Sequence, residues 1–186
     1  AMGCALREGK LAQHAGVAPK VNREKCIGCG ACVEVCPVEA ITLKDKKAYL
    51  DEDKCIGCAS CIAACNYEAV DVNWGAGIGT LSEKVAEYAL AVLKGKEKKQ
   101  AFFNFVMHIT KDCDCLARDE APVAPDIGIM ASSDPVSIDK ASMDLVLKLA
   151  GKDVFKEGYP KVDGRWHIKY GSEIGLGNLD YELIKL

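Results

Sequence analysis

Apolar residues near the middle of the chain recur at helical spacing after Ser82. We predict a helix from Ser82, which can cap it, to about Leu93. Its apolar face is formed by Val85, Tyr88, Ala89, Val92 and Leu93. The largely apolar run 101–109 predicts a buried strand, and 126–131 predicts another.

A second amphipathic helix is predicted directly after these strands. Ser132, Ser133 or Asp134 can cap its start, and Pro135 suits its first turn. Gly151 is placed to end it. Its apolar face is formed by Ile138, Ala141, Leu145, Val146 and Leu149. This alternation of strands and helices predicts an α/β segment.

The first half of the chain is patterned by cysteine. The stretch KCIGCGACVEVCP, from Lys25 to Pro37, is followed by KCIGCASCIAACN, from Lys54 to Asn66. The repeated spacing is CxxCxxCxxxC, and each run is followed by a matching segment, VEAI or YEAV. Ile41–Leu43 and Ala48–Leu50 flank a polar turn and predict a hairpin. Each half therefore reads as strand, cysteine loop, short helix, strand.

Three closely spaced cysteines and a fourth suit a cubane iron–sulfur cluster, which needs thiolates converging from several directions. Gly28 and Gly57 relieve crowding where each loop turns. Small residues leave room for inorganic sulfur, namely Gly30, Ala31, Ala59 and Ser60. Two zinc knuckles are the alternative, but zinc sites usually present two CxxC pairs separated by a longer loop. The regular steps favour iron and sulfur.

Residues 21–74 resemble a bacterial-type ferredoxin with two 4Fe-4S clusters. In that family the fourth cysteine of each run binds the other cluster. The resemblance implies one cluster on Cys26, Cys29, Cys32 and Cys65, and the other on Cys55, Cys58, Cys61 and Cys36. The usual proline follows the first run as Pro37, whereas Asn66 replaces it in the second. We expect Asn66 to change the turn and the hydrogen bonding near a sulfur without removing a ligand.

Total composition narrows the function classes. The 186 residues carry a net charge of −3, from 24 basic and 27 acidic residues, which gives no electrostatic reason to expect nucleic acid as a partner. No apolar run is long enough to span a bilayer, and no secretory leader is visible. Eleven cysteines are an odd number, and eight lie too close together for a disulfide framework. We therefore expect reduced thiols and a cytoplasmic location.

A third metal site is a further hypothesis. Cys113 and Cys115 are separated by one residue, cannot easily form a relaxed disulfide, and can both bind a soft metal. His108 is a possible additional ligand. The preferred zinc ligand set is Cys4, His14, Cys113 and Cys115. The alternative is ordinary loop thiols with unrelated histidines.

Two further motifs favour structural interpretations. A ligand site at Ser133, Asp134, Asp139 and Lys140 is conceivable where a strand meets a helix. Helix capping with an exposed acid–base pair explains the same residues more simply, since no nucleophile–base pair is identifiable. Gly171, Gly175 and Gly177 do not form a nucleotide-binding fingerprint and indicate a turn-rich end. His167 is interpreted as a packed or surface residue.

The flanking segments resemble the family called domain of unknown function 362. The resemblance rests on GCALREGKLAQH, NFVMHITKDCDC and PDIGIMASSDPVSIDKASMDLV. Members often carry a ferredoxin pair before a final α/β segment and are usually longer at the N-terminus, so the resemblance implies a C-terminal portion. The implied layout is a dicluster ferredoxin domain at 21–74, flanked by an α/β domain of unknown function at 1–20 and 75–186. The fold class predicted overall is α+β: a ferredoxin-like dicluster module with duplicated βαβ-type halves, joined to an α/β segment.

The favoured function is one-electron transfer between a redox protein partner and an acceptor through two 4Fe-4S clusters. The alternative is a redox enzyme or metal-handling module in which the clusters feed an α/β site that holds zinc at Cys113 and Cys115. A third possibility is that the clusters have only a structural role and stabilise a small domain. No catalytic residue can be assigned, and the sequence does not indicate the oligomeric state.

Overall fold

The chain forms two compact units, Ala1–Val85 and Ala86–Leu186. A computed structural model describes residues 6–14, 18–73, 78–96, 98–112 and 119–186. Within these ranges, none of the helices has the length and hydrophobicity needed to cross a lipid bilayer.

The first unit contains short elements arranged as two similar halves. Its helices are α1 (Arg7–His14), α2 (Ala31–Glu34) and α3 (Ser60–Ala64). Its strands are β1 (Lys20–Val21), β2 (Ile41–Lys44), β3 (Lys47–Leu50) and β4 (Val70–Asp71). Both pairings are antiparallel, β1 with β4 and β2 with β3. Each half therefore runs strand, cysteine loop, short helix, strand, while α3 packs against both α1 and α2.

The backbone repeats the duplication seen in the sequence. Cys26 is equivalent to Cys55, 29 positions later, and residues in the left-handed region recur at the same offset. The φ angles of the equivalent pairs are 75° and 67° at Gly28 and Gly57, 84° and 63° at Gly30 and Ala59, and 52° and 50° at Glu39 and Glu68. Both cysteine loops therefore follow the same path, with glycine or a strained residue where the chain turns.

The predicted hairpin is confirmed. Ile41 pairs with Leu50 and Lys44 with Lys47, so the turn consists of Asp45 and Lys46, both with positive φ. The turn lies against the first cysteine loop. A Cβ at Gly28 would lie 2.2 Å from the Lys46 carbonyl oxygen, so glycine is required at this close approach.

The core of the first unit is made of small side chains. Its buried residues include four alanines and three cysteines, with four larger aliphatic residues: Ile41, Ile62, Val70 and Val72. No aromatic side chain is among these core residues. This unit therefore buries little apolar volume besides its cysteine loops.

The second unit is built from longer elements. It contains β5 (Phe102–Val106), β6 (Gly128–Ser132), α5 (Pro135–Ala150), α6 (Val154–Gly158) and α7 (Trp166–Glu173). Helix α4 (Ile78–Leu93) leads into it and begins one turn before the predicted Ser82. Strands β5 and β6 are antiparallel neighbours, and α5 packs against both of them and against α7.

The strand predicted at 101–109 is shorter than expected, and only one of its faces is covered. Phe103 and Phe105 are exposed, as is Ile129 opposite Phe105 on β6. The intervening residues face α5. The prediction of a buried strand was therefore wrong for this face, because a two-stranded antiparallel sheet needs only one covered face.

Helix α5 begins and ends as predicted. The Asp134 Oδ1 atom accepts hydrogen bonds from the backbone N–H groups of Val136 and Ser137, each at 2.9 Å, with Pro135 in the first turn. Gly151 ends the helix with a φ of 67°. The other oxygen of Asp134 accepts from Asn178, so the same carboxylate also holds the C-terminal segment.

Candidate metal centres

Two pockets in the first unit are each lined by four cysteines. The Cys26 pocket is lined by Cys26, Cys29, Cys32 and Cys65, and the Cys55 pocket by Cys55, Cys58, Cys61 and Cys36. Both pockets are open to solvent, and they are similar in size. Their similar size is what two copies of one loop would give.

In each half, three cysteines lie on the loop and helix that form one pocket, and the fourth lines the other pocket. Cys36 lies two residues beyond α2, and Cys65 is the C-terminal cap of α3. Because α2 packs against α3, the end of each short helix comes close to the opposite loop. The structure thus brings together the same two sets of four residues that the ferredoxin resemblance implied.

The sulfurs of the two crossing cysteines accept equivalent backbone hydrogen bonds. The Ala40 N–H donates to Cys36 Sγ at 3.2 Å, and the Ala69 N–H donates to Cys65 Sγ at 3.3 Å. The bond is present after Pro37 and after Asn66 alike. The change of proline to asparagine therefore leaves this one hydrogen bond to sulfur unaltered.

The sulfurs of the two leading cysteines differ in their hydrogen bonds. The Ala48 N–H, on β3, donates to Cys26 Sγ at 3.3 Å. Cys55 Sγ accepts from the Gly57 N–H at 3.4 Å, within its own loop. No local pattern in the sequence predicts the Ala48 bond, since it joins residues on separate elements.

The pKa values of three thiols are perturbed. The hydrogen bond from the Ala48 N–H lowers the pKa of Cys26, assisted by Gly28 and Lys47 and opposed by burial. Burial raises the pKa of Cys32, and the neighbouring sulfurs of its own pocket add to the rise. Burial, together with Cys58 and Cys55, raises the pKa of Cys61 to about 12. Since metals bind thiolates, Cys32 and Cys61 would lose their protons to solvent when a metal binds their sulfurs, and would keep them without one.

Apolar side chains close the walls of both pockets. Leu43, Ala69 and Val70 line the Cys26 pocket, whereas Ile41 and Leu50 line the Cys55 pocket. The mouths carry Ile27 and Ile56, which are 57 % and 62 % exposed. Each pocket therefore has largely apolar walls and lies at the surface of the unit.

The donor set of both pockets suits a thiolate-bound iron–sulfur group. Four sulfur donors without carboxylates or imidazoles select soft centres such as Fe–S clusters or zinc. Among the described residues, no three His, Cys, Asp or Glu side chains converge on the point that a single metal ion would occupy. The four cysteines of each pocket instead lie around a cavity.

The hypothesis of a third metal site is not resolved by the structure. Cys4, Cys113 and Cys115 lie outside the described residues. His14 is the last residue of α1, and the His108 N–H donates to Asp126. The zinc site stays a prediction.

The residues at the start of α5 that were considered as a ligand site make contacts that stabilise the fold. Asp134 caps the helix, and Lys140 forms an ion pair with Asp144 rather than with Asp139. Asp139 accepts a hydrogen bond from Asn104 at 2.9 Å, and His167 Nε2 lies 3.8 Å from its other oxygen. The contacts of Asp139 could not be predicted from the sequence, because its partners lie on β5 and α7.

Comparisons with known proteins match the cysteine-rich segment. Residues 25–69 match the family model described as a 4Fe-4S dicluster domain. The chain is 61 % identical over 31 residues to the coenzyme F420-dependent sulfite reductase of Methanocaldococcus jannaschii, which covers 17 % of this chain and 5 % of that protein. It is 61 % identical over 36 residues to the ferredoxin-type protein NapF of Haemophilus influenzae, covering 19 % and 20 %.

A third similar protein is ferredoxin-2 of Desulfomicrobium norvegicum, with 61 % identity over 28 residues, covering 15 % of this chain and 48 % of that protein. The chain thus spans less than half the length of each of these relatives. Together with the family model, they identify a 4Fe-4S ferredoxin-like region, and they support iron–sulfur electron transfer as its chemistry.

Proposed function

We propose that this chain is an electron-transfer protein that holds one 4Fe-4S cluster in the Cys26 pocket and one in the Cys55 pocket. It passes single electrons between a redox protein partner and an acceptor. The observation that carries the proposal is the exchange of the fourth cysteine between the two pockets. This exchange encloses each pocket with four sulfurs and couples the two halves.

Within this proposal each part of the chain has a physical role. The four thiolates of a pocket hold the group, and the Ala40 and Ala69 N–H groups orient the crossing sulfurs. The aliphatic walls exclude water. A bound 4Fe-4S cluster supplies a one-electron couple whose potential depends on charge, solvent access and hydrogen bonds to sulfur.

The exposed mouths support a partner that is itself a redox protein. Ile27 and Ile56 present apolar surface directly beside the two sets of cysteines. A partner that docks over either side chain would bring its own redox centre close to a cluster. Residues 1–20 and 75–186 are proposed as the flanking α/β domain of a protein of the domain of unknown function 362 family, located in the cytoplasm.

The primary test is an iron and sulfide count per chain after purification without air, followed by reductive titration. We expect two clusters' worth of iron and of acid-labile sulfide, and a visible absorption band that bleaches on reduction. Colourless protein with zinc on the cysteines would refute the proposal. Clusters that resist reduction at low potential would instead favour a structural role.

Double variants test the crossed ligand sets. Cys32→Ser/Cys65→Ser removes two ligands of one pocket, so we expect half of the iron to remain. Cys32→Ser/Cys36→Ser removes one ligand from each pocket although both residues lie in the same run, so we expect a larger loss of iron. The reverse result would mean that each run binds its own cluster. Ser60→Ala, next to Cys61, is the control that should keep all of the iron.

A further inference from the structure

The walls of the two pockets differ at one pair of equivalent positions. Ala48 lines the Cys26 pocket, and Pro19 lines the Cys55 pocket. These residues are equivalent by the duplication, since each lies seven positions before the first cysteine of a run. Ala48 lies on β3 and Pro19 lies directly before β1, but only Ala48 has a backbone N–H.

This difference decides which sulfurs receive a hydrogen bond from the strand. The Ala48 N–H donates to Cys26 Sγ at 3.3 Å. Proline cannot donate, so Pro19 offers no equivalent bond to the Cys55 pocket. Hydrogen bonds to cluster sulfurs stabilise the more negative, reduced state of a cluster and so raise its reduction potential.

Charged residues at the neighbouring positions also favour a higher reduction potential in the Cys26 pocket. Lys47 Nζ donates to the carbonyl oxygen of Cys26 at 2.5 Å, so an ammonium group lies beside the Cys26 pocket. Its equivalent in the first half, before the first run, is Ala18, which carries no charge. Arg23, which also acts electrostatically on Cys26, is replaced by Glu52 at the equivalent position. A positive charge near a cluster favours the added electron, and a negative charge disfavours it.

The bond from the Gly57 N–H to Cys55 Sγ does not distinguish the pockets, because the equivalent Gly28 N–H also bonds Cys26. One other local feature acts in the opposite direction. Ser60 Oγ lies 3.6 Å from Cys58 Sγ in the Cys55 pocket, whereas the equivalent residue in the Cys26 pocket is Ala31. At this distance the hydroxyl makes a weak bond to sulfur at best. The backbone N–H and two cations on the other side outweigh it.

We propose that the cluster in the Cys26 pocket has the higher reduction potential and accepts the first electron, because of Ala48 and Lys47. The Pro19–Ala18 pair keeps the other cluster at lower potential. This inference rests on the function proposed above. One electron from a reductant such as dithionite enters one cluster, and no bond is formed or broken. At any applied potential the reduced-to-oxidised ratio should be at least tenfold higher in the Cys26 pocket, a separation of about 59 mV for a one-electron couple.

Two variants assign the couples in voltammetry or in redox titrations followed by electron paramagnetic resonance. Lys47→Met should lower the higher-potential couple and leave the lower one in place. Pro19→Ala should raise the lower-potential couple, because it supplies the missing N–H, and should leave the higher one in place. Pro19→Gly supplies the same N–H with a smaller side chain and should shift the same couple in the same direction. Lys46→Met, an exposed lysine of the same hairpin turn, is the control that should move neither couple strongly.

The outcomes separate this inference from the function itself. Two clusters' worth of iron with a single shared potential would overturn the inference alone, as would a Lys47→Met variant that moves the lower couple. Wild-type protein without two clusters would overturn both. If the Pro19 variants lose iron, Lys47→Met still decides the assignment.

Discussion

The two units of this chain differ in what holds them together. The first unit has two-residue strands, helices of four and five residues around its pockets, and a core of alanines and cysteines. The second has a five-residue strand pair covered by a sixteen-residue helix, and its buried residues include Val106, Val146 and Val154. The difference shows that aliphatic side chains larger than alanine make up a greater share of the buried residues in the second unit than in the first.

A two-stranded ribbon is marginal in water unless something else packs on it. In the first unit the remaining stabilisation must come from groups that bind several elements at once. The eight cysteine sulfurs lie on two loops and two short helices. Once they bind metal, the free energy of ligation contributes to the free energy of folding. Cluster binding and folding of the first unit are therefore expected to be coupled.

The largest expected effect is obtained by removing the iron. With a chelator and an oxidant, residues 18–73 should lose nearly all protection of their backbone amides, while β5, β6 and α5 should keep theirs. Hydrogen–deuterium exchange with mass spectrometry on the whole chain measures both segments in one sample. Equal loss of protection in the two segments would show that the two units do not differ in their dependence on the clusters.

The degree to which sequence predicts structure also differs between the units. The repeated cysteine spacing indicated which residues line the pockets, because a loop that binds a cluster permits few alternatives. The sequence could not reveal that Lys47 and Ala48 reach Cys26, since such contacts depend on how the hairpin packs. Ligation itself stays a prediction.

In the second unit, features set within one helical turn were predicted correctly, whereas burial, which depends on tertiary packing, was not. The Asp134 cap, Pro135 and Gly151 predicted the two ends of α5, because caps act within one turn. The run around Phe103 and Phe105 was interpreted as buried, although these side chains are exposed. Hydrophobicity alone does not tell which face of a two-stranded sheet is covered.

The next largest effect is expected at Gly28. An alanine there places a Cβ 2.2 Å from the Lys46 carbonyl oxygen and also holds a positive φ, so the hairpin must move. We expect a loss of about 3–5 kcal/mol, combining overpacking and left-handed strain. The urea concentration at which cluster absorbance disappears should fall accordingly.

Gly30→Ala is the matched control for Gly28→Ala. Gly30 has a φ of 84°, but its nearest contact for a Cβ is Leu43 at 4.0 Å, and the equivalent residue in the second half is already an alanine. It should cost only about 1–2 kcal/mol for the left-handed conformation. If both variants are equally destabilised, the close approach to Lys46 is not the cause.

A smaller effect is expected from the cap of the second unit. Asp134→Ala removes acceptors from the first turn of α5 and from Asn178, and should destabilise the second unit by about 1–2 kcal/mol. Amide exchange should accelerate in 128–150, with little change in 18–73. Ser133→Ala, one residue earlier, is the matched control, and an equal effect in that variant would rule out the cap.

The smallest effect is a dependence on acid that is specific to the second unit. Burial alone would raise the pKa of Asp134, but hydrogen bonds from Ser137 and Asn178 outweigh it and lower the pKa. A lowered carboxyl pKa contributes stability above the unfolded value of about 3.9, and this contribution is lost as the pH falls through the folded value. Between pH 5 and pH 3 the denaturation midpoint of 128–150, followed by amide exchange in urea, should therefore fall less steeply in Asp134→Asn than in the wild type. A variant as acid-sensitive as the wild type would mean that other carboxylates, such as Asp139, carry the acid response, since burial of its carboxyl is likewise outweighed by His167 and Asn104.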